Sequence, residues 1–228
     1  MSHAAEYLPF VLSGIYVTVA LSVCSLLVAT VLGLIGAWGK SSSVSAARSM
    51  ADTYTTLIRG IPDLVLMLLL YYGGQAVANQ VGATTGLWSR MNLDPFTVAV
   101  LAIGVIFGSY MTETFRGAYL AIPRGQSEAG KALGLGRWQL FRLVIWPQLV
   151  RYALPSFSNN WLSLMKTTAL ASVMGLEDVV NKANAAGRAT HQPFSFIVVV
   201  LLVYLAMTAA SDVGLGILAK RLRASGAA

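Results

Sequence analysis

The segment YLPFVLSGIYVTVALSVCSLLVATVLGLIGAWG, residues Tyr7 to Gly39, contains no Asp, Glu, Lys or Arg. A helix that crosses a bilayer needs about 20 predominantly apolar residues, so this run is long enough to span one. Similar apolar runs follow along the chain. Three are free of charge and a fourth carries only Lys166; they are Leu64–Ser89, Pro95–Thr112, Gln192–Ser211 and Tyr152–Leu176.

The composition agrees with a membrane protein. Hydrophobic residues make up 56% of the 228 residues and charged residues only 11%, whereas soluble domains carry about 25% charged residues. Backbone groups in lipid must pair internally, which leaves helices or closed barrels. Because the runs lack the alternating pattern of barrel strands, they predict an all-α integral membrane protein.

The distribution of basic residues predicts the topology. Positive charge accumulates on cytoplasmic loops. Lys and Arg cluster after the first, third and fifth apolar runs and are sparse or balanced after the second and fourth. An odd number of spans, with a periplasmic N-terminus and a cytoplasmic C-terminus, fits every loop. We expect one domain over residues 9–218, with about five spans at 9–38, 56–80, 95–116, 152–176 and 193–218 and a cytoplasmic loop at about 122–151.

Several other classes of protein are disfavoured. The N-terminal residues before Tyr7 lack the basic start of a removable signal peptide, and a single cysteine, Cys24, says nothing about compartment. The net charge of +7 fits basic loops better than nucleic-acid binding. No phosphate-binding glycine-rich loop and no metal cluster occur in the sequence, so we expect this chain to bind no metal and no cofactor.

The most informative loop reads IPRGQSEAGKALGLGRWQLFRLVIWPQLVRYALP, from Ile122 to Pro155. Ser127 is a candidate N-cap for a short helix that begins at Glu128, and Gly134 suits the left-handed geometry of a helix C-terminus. A second helical stretch is expected to end before Pro147. The two form a compact elbow with a small apolar face. The alternative is an amphipathic helix that lies on the membrane surface.

This loop resembles the EAA motif of binding-protein-dependent ABC importer permeases. Glu128, Gly134 and Pro147 are in register with that motif, while Gly130 replaces its second alanine. The resemblance implies that the loop is a coupling helix that docks in a cleft of an ATPase subunit. The residues expected to make this coupling contact are Glu128, Ala129, Ala132, Leu133, Gly134 and Pro147.

Three further segments narrow the resemblance to polar amino-acid permeases, close to the Q-type subunits of histidine and lysine/arginine/ornithine importers. They are Thr55–Gly73, Gly108–Gly134 and Arg151–Val180. The resemblance implies a type I ABC importer permease fold in a bacterial inner membrane. It also implies three kinds of partner: a second permease, two ATPase subunits that bind ATP and Mg, and a periplasmic amino-acid-binding protein. This chain would be a transport subunit and not an enzyme.

The same resemblance points to a substrate pathway along the fourth span, with Asn160, Leu164 and Thr167 as its expected residues. Carboxylates bind basic substrates at two of these positions in the family, but Asn160 and Thr167 are uncharged here. We therefore expect the acidic contact to come mainly from a different partner permease. That arrangement favours a heterodimer over a homodimer.

Charged residues inside spans are functional candidates because their burial is costly. Asp63 follows Arg59 by one helical turn and Glu113 precedes Arg116 by nearly one turn. Both spacings place the partners on one helical face, so we expect ion pairs near the cytoplasmic boundary, or a gate. The roles of Lys166 and Asp212 stay open. The glycines Gly14, Gly33, Gly36, Gly104 and Gly108 are expected to permit close helix packing.

Alternatives remain. A membrane-embedded enzyme would need a nucleophile with a base, paired carboxylates or a metal site, and the sequence offers no such constellation. A scaffold that only anchors an ATPase is a third possibility.

Within the permease class, the substrate predicted from the resemblance is a basic amino acid (histidine, lysine, arginine or ornithine). Glutamate, glutamine or an opine is the rival substrate.

Overall fold

The computed structural model describes residues 2–224, which form helices joined by short turns without any strand. The predicted all-α fold is therefore confirmed over this range. The α-helices are α1 (Ser2–Leu12), α2 (Gly14–Lys40), α3 (Ser45–Gly60), α4 (Asp63–Leu68), α5 (Gly74–Thr85), α6 (Pro95–Leu120), α7 (Arg124–Ala132), α8 (Arg137–Leu140), α9 (Trp146–Thr167), α10 (Val179–Thr190) and α11 (Pro193–Ala224). Two π-helical turns (Leu69–Gly73, Phe141–Ile145) and one 3₁₀ segment (Thr168–Met174) complete the chain.

Helices α2 and α6 form the centre of the molecule, and glycines let them approach closely. A Cβ on Gly33 would clash with Met111, and one on Gly36 would clash with the Thr112 side chain. On the other helix, a Cβ on Gly104 would lie 2.5 Å from Val28 Cγ1. Small residues at such contacts permit the backbone approach that drives helix association in lipid, as the sequence predicted.

Four helical segments in the described part of the chain are long and apolar enough to cross a membrane: Glu6–Lys40, Asp63–Thr85, Pro95–Leu120 and Pro193–Leu222. The segment within α6 is 61% buried inside the chain, whereas the α4–α5 and α11 segments are only 11% buried. The apolar surfaces of α4–α5 and α11 must therefore face lipid or another protein chain.

The second apolar helix begins later than expected. We expected this span to begin at residue 56, but residues 56–60 belong to α3 and the apolar helix begins at Asp63. Ile61 is extended and Pro62 caps α4. Because a residue that precedes proline is pushed out of the helical region, the Ile61–Pro62 pair separates the two helices.

The expected helix end before Pro147 is also wrong. The chain runs from α8 through the π-helical turn Phe141–Ile145 directly into α9, with Pro147 in the first turn of α9. Pro147 has no N–H and its ring would clash with the carbonyl four residues earlier in a regular helix. The wider π-helical turn accommodates this, so α9 begins at Trp146, before residue 152 where we expected the helix to start.

Candidate functional site

The loop after α6 forms an exposed elbow between α7 and α8. Gly134 has φ +78, in the left-handed region that favours glycine. The Leu135 N–H donates to Gly130 O at 3.1 Å and the Gly134 N–H donates to Lys131 O at 2.9 Å. This pair of bonds is the Schellman motif, which closes a helix C-terminus and turns the chain sharply. The elbow is thus a defined structure rather than a flexible loop.

The elbow presents the predicted coupling residues to the outside. Glu128, Ala129, Ala132 and Gly134 are exposed, and Leu133 is 81% exposed. Leu133 therefore projects from the elbow next to the left-handed turn at Gly134. The sixth predicted residue, Pro147, is also exposed but lies in the first turn of α9 rather than on the elbow.

The start of α7 differs from the prediction. Ser127 does not cap the helix, which begins at Arg124 after Pro123. Proline preorganises the chain for the first turn of a helix, so the helix gains a turn at its N-terminal end.

The structure explains why glycine stands at position 130, where the EAA motif has alanine: a Cβ there would lie 2.5 Å from Leu140 Cδ1. Leu140 thus occupies the space that a second alanine would take.

A charge network joins α2, α3 and α6. Lys40 Nζ lies 2.6 Å from Glu113 Oε1 and 2.9 Å from Asp52 Oδ1, and its side chain is only 10% exposed. Arg116 donates from Nε at 3.0 Å and from a terminal nitrogen at 2.8 Å to Glu113 Oε2. The Glu113 carboxylate therefore joins two cations, and only the Arg116 contact follows from helical spacing.

The expected ion pair between Arg59 and Asp63 does not form among the residues that the structure describes. The break at Ile61–Pro62 removes the helical spacing on which that expectation depended. Arg59 instead lies over the ring of Tyr110, with its guanidinium carbon 5.2 Å from the ring centroid. This cation–π contact holds Arg59 against α6, while Asp63 lies in the first turn of α4.

A polar cavity of about 490 Å³ opens between α3, α6 and α9. It contains the Arg59 and Glu113 side chains together with two asparagines of α9, which the sequence alone did not bring together. The lining residues are Arg59, Tyr110, Glu113, Thr114, Pro155, Ser156, Asn159 and Asn160. Opposite charges and amide groups around one cavity can bind both the carboxylate and the ammonium group of a zwitterion.

The three residues predicted for the pathway have different environments. Asn160 lines the cavity, and its Nδ2 donates to Thr114 Oγ1 at 2.9 Å. Leu164 is fully buried in the hydrophobic core, and the Thr167 hydroxyl donates to Ser163 O at 3.1 Å. Only Asn160 therefore borders the cavity in this conformation. Lys166 and Asp212, whose roles the sequence left open, are both exposed.

An apolar helical bundle with an exposed rigid elbow and a polar cavity defines a membrane permease that works with other subunits. The chain belongs to the family described as the inner membrane component of binding-protein-dependent transport systems, whose model matches residues 8–224. It is a multi-pass inner membrane protein, as predicted.

Individual relatives agree with this assignment. The histidine/lysine/arginine/ornithine transport system permease protein HisQ of Escherichia coli (strain K12) is 45% identical over 202 residues, 89% of this chain and 88% of that protein. The octopine transport system permease protein OccQ of Rhizobium radiobacter is 39% identical over 84% of this chain and 81% of that protein. A crystal structure of an amino acid ABC transporter with histidines superposes with a TM-score of 0.82 at 29% identity, over 96% of each chain.

Proposed function

We propose that this chain is the permease subunit of an ATP-driven, binding-protein-dependent importer for the basic amino acids histidine, lysine, arginine and ornithine. The observation that carries the proposal is the polar cavity that Asn160 and Glu113 both line. Two further findings support it: the relatives named above include a permease for these amino acids, and a solved amino acid ABC transporter shares the fold.

The elbow between α7 and α8 couples the permease to its motor. In this proposal the exposed tip at Leu133 docks in a cleft of an ATPase subunit on the cytoplasmic side, and that subunit binds ATP and Mg. Closure of two ATPases moves the elbow as a rigid lever, because the Schellman motif fixes its turn. The helical bundle then alternates between outward-open and inward-open packings.

A second, different permease completes the pathway. Glu113 is the carboxylate that lines the cavity, but its oxygens already accept from Lys40 and Arg116. Its charge is thus largely compensated, and Asn160 is neutral. The main acidic contact for a basic side chain therefore comes from the partner permease. The scarcely buried surfaces of α4–α5 and α11 supply the apolar area that such a heterodimer needs.

Transport by the reconstituted complex tests the proposal. The chain is assembled in proteoliposomes with its partner permease, ATPases and binding protein, and uptake of radiolabelled arginine and histidine is followed with internal or external ATP. ATP-dependent uptake that excess lysine competes with, and excess leucine does not, is the expected result. ATP hydrolysis without uptake of arginine or histidine would contradict the proposal, and the absence of octopine uptake as well would favour a scaffold.

An opine is the second candidate substrate, because an octopine permease is 39% identical to most of this chain. The same proteoliposomes distinguish the two. If octopine competes with arginine at lower concentration than lysine does, the importer is an opine permease. The architecture and the coupling elbow would be unchanged, since only the binding protein and the cavity select the substrate.

A further inference from the structure

A second, apolar cavity lies on the side of the molecule where the coupling elbow is found. It is a groove of about 410 Å³ between the C-terminal ends of α2 and α6 and the start of α9. It shares no lining residue with the polar cavity. Its walls are mostly apolar and aromatic and include Leu34, Trp38, Tyr119 and Trp146, together with the charged Arg116.

The rim of this groove has the composition of a membrane interface. Trp38 is 75% exposed, Tyr119 49% and Trp146 44%. Tryptophan and tyrosine concentrate at the level of lipid head groups, where an apolar ring meets a polar N–H or O–H. A groove with this rim suits an acyl chain whose head group lies level with the aromatic residues.

Two cations flank this rim. Arg116 lines the groove and donates two of its N–H groups to Glu113. Its other guanidinium N–H groups have no acceptor among the residues that the structure describes. On the far side of Tyr119 a smaller depression of about 270 Å³ is lined by Arg124 and Ser127. Tyr119 borders both cavities, and Arg116 lines the first while Arg124 lines the second.

We propose that the groove is a binding site for one anionic phospholipid of the leaflet on the elbow side. One acyl chain fills the apolar groove, and the phosphate lies between Arg116 and Arg124. Basic pockets between membrane helices bind anionic head groups in this way. The cations favour an anionic lipid over a zwitterionic one, and the site depends only on the chain being a membrane protein, not on which substrate it carries.

Native mass spectrometry of the assembled complex tests this site. The complex is equilibrated with equal amounts of phosphatidylglycerol and phosphatidylcholine that have identical acyl chains, and the lipids retained after detergent removal are counted. We expect preferential retention of phosphatidylglycerol. Arg124→Gln should lower that preference about fivefold, and Leu34→Trp, which fills the groove, should lower retention of both lipids.

Matched controls lie at the opposite end of the bundle. Arg90→Gln and Leu87→Trp alter an exposed arginine and a 75% exposed leucine outside the groove, and should change nothing. Equal retention of the two lipids by the unmodified complex would overturn the proposal, and so would identical retention in Leu34→Trp and Leu87→Trp. A photoreactive residue at position 34 that captures a protein subunit instead of lipid would also overturn it.

Discussion

Asn160 Nδ2 lies 2.9 Å from Thr114 Oγ1, and this hydrogen bond ties α9 to α6 at the wall of the polar cavity. Asn160 also lines the cavity, and an amide carries both a donor and an acceptor, so we propose that its carbonyl oxygen accepts from a substrate ammonium group.

Loss of this amide should weaken substrate binding. Replacing Asn160 with Ala removes one hydrogen bond to the substrate, which is worth about 0.5–1.5 kcal/mol. We expect about a three- to tenfold higher half-saturating concentration in substrate-stimulated ATP hydrolysis by the assembled complex. Ser158→Ala on the same helix is the control, because the Ser158 hydroxyl donates to Leu154 O of its own helix. Unchanged affinity in Asn160→Ala would remove this residue from the site.

The charge network should contribute to stability through Glu113. In Glu113→Gln, Lys40 keeps only Asp52 and Arg116 loses its carboxylate acceptor. A poorly exposed charge that loses its partner costs about 1–3 kcal/mol, which thermal or denaturant unfolding of the complex would register. Asp52 is 56% exposed, so Asp52→Asn should cost less than about 1 kcal/mol. Equal losses of unfolding free energy in the two variants would show that Glu113 contributes no more to stability than Asp52 does.

The left-handed backbone at Gly134 should matter for coupling. Gly134→Ala forces a Cβ into a conformation that costs about 1–2 kcal/mol, although nothing within 4 Å obstructs that atom. We expect weaker stimulation of ATP hydrolysis by loaded binding protein. Gly134→Asn should be milder because asparagine tolerates this geometry. Gly125→Ala, an open position in α7, is the control, and an equal effect there would contradict a role for the turn.

Asp178 should make stability depend on pH. It lies in the turn between the 3₁₀ segment and α10 and is fully buried, and its Oδ2 has no hydrogen-bond partner within residues 2–224. Burial raises the pKa of Asp178 from 3.8 to about 6, while the N–H groups of Asn181 and Val180 act in the opposite direction. The folded state therefore holds this proton more tightly than the unfolded state, so the free energy of unfolding falls as pH rises from about 4 to about 6.

Asp178→Asn should flatten this pH dependence, because asparagine also caps the helix but does not titrate. At neutral pH the variant is expected to be more stable by on the order of 1–3 kcal/mol. Melting temperatures of the complex between pH 4.5 and 8 would measure this. The exposed neighbour Glu177 provides the control substitution, Glu177→Gln. A variant Asp178→Asn that melts below the unmodified complex at pH 8 would contradict the assignment.

The all-α membrane fold was predictable because its signal is local. Charge-free runs such as Tyr7–Gly39 require no knowledge of which helices touch. The predictions failed where the backbone departs from the regular helix. At Ile61–Pro62 the proline ends the helix, whereas at Pro147 the preceding π-helical turn lets the helix continue. Sequence patterns do not distinguish these two outcomes.

The site was less predictable because its parts are distant in sequence. The contact of Lys40 with Glu113 joins two residues 73 positions apart and exists only because glycines bring α2 against α6. The contact of Arg116 with Glu113, by contrast, could be predicted because the two residues are three positions apart in one helix. The elbow at Gly134 was found because left-handed turns have a strong local preference for glycine.

Disulfide crosslinking of the elbow to the ATPase subunit tests the central claim most directly. Cys24 is replaced by Ser, and a single cysteine is introduced either at Leu133, which is 81% exposed on the elbow, or at Leu87, which is 75% exposed between α5 and α6. In membrane vesicles that contain the whole complex, we expect Leu133→Cys, and not Leu87→Cys, to crosslink to cysteines placed along the ATPase cleft. Crosslinking from Leu87→Cys with none from Leu133→Cys would contradict the account.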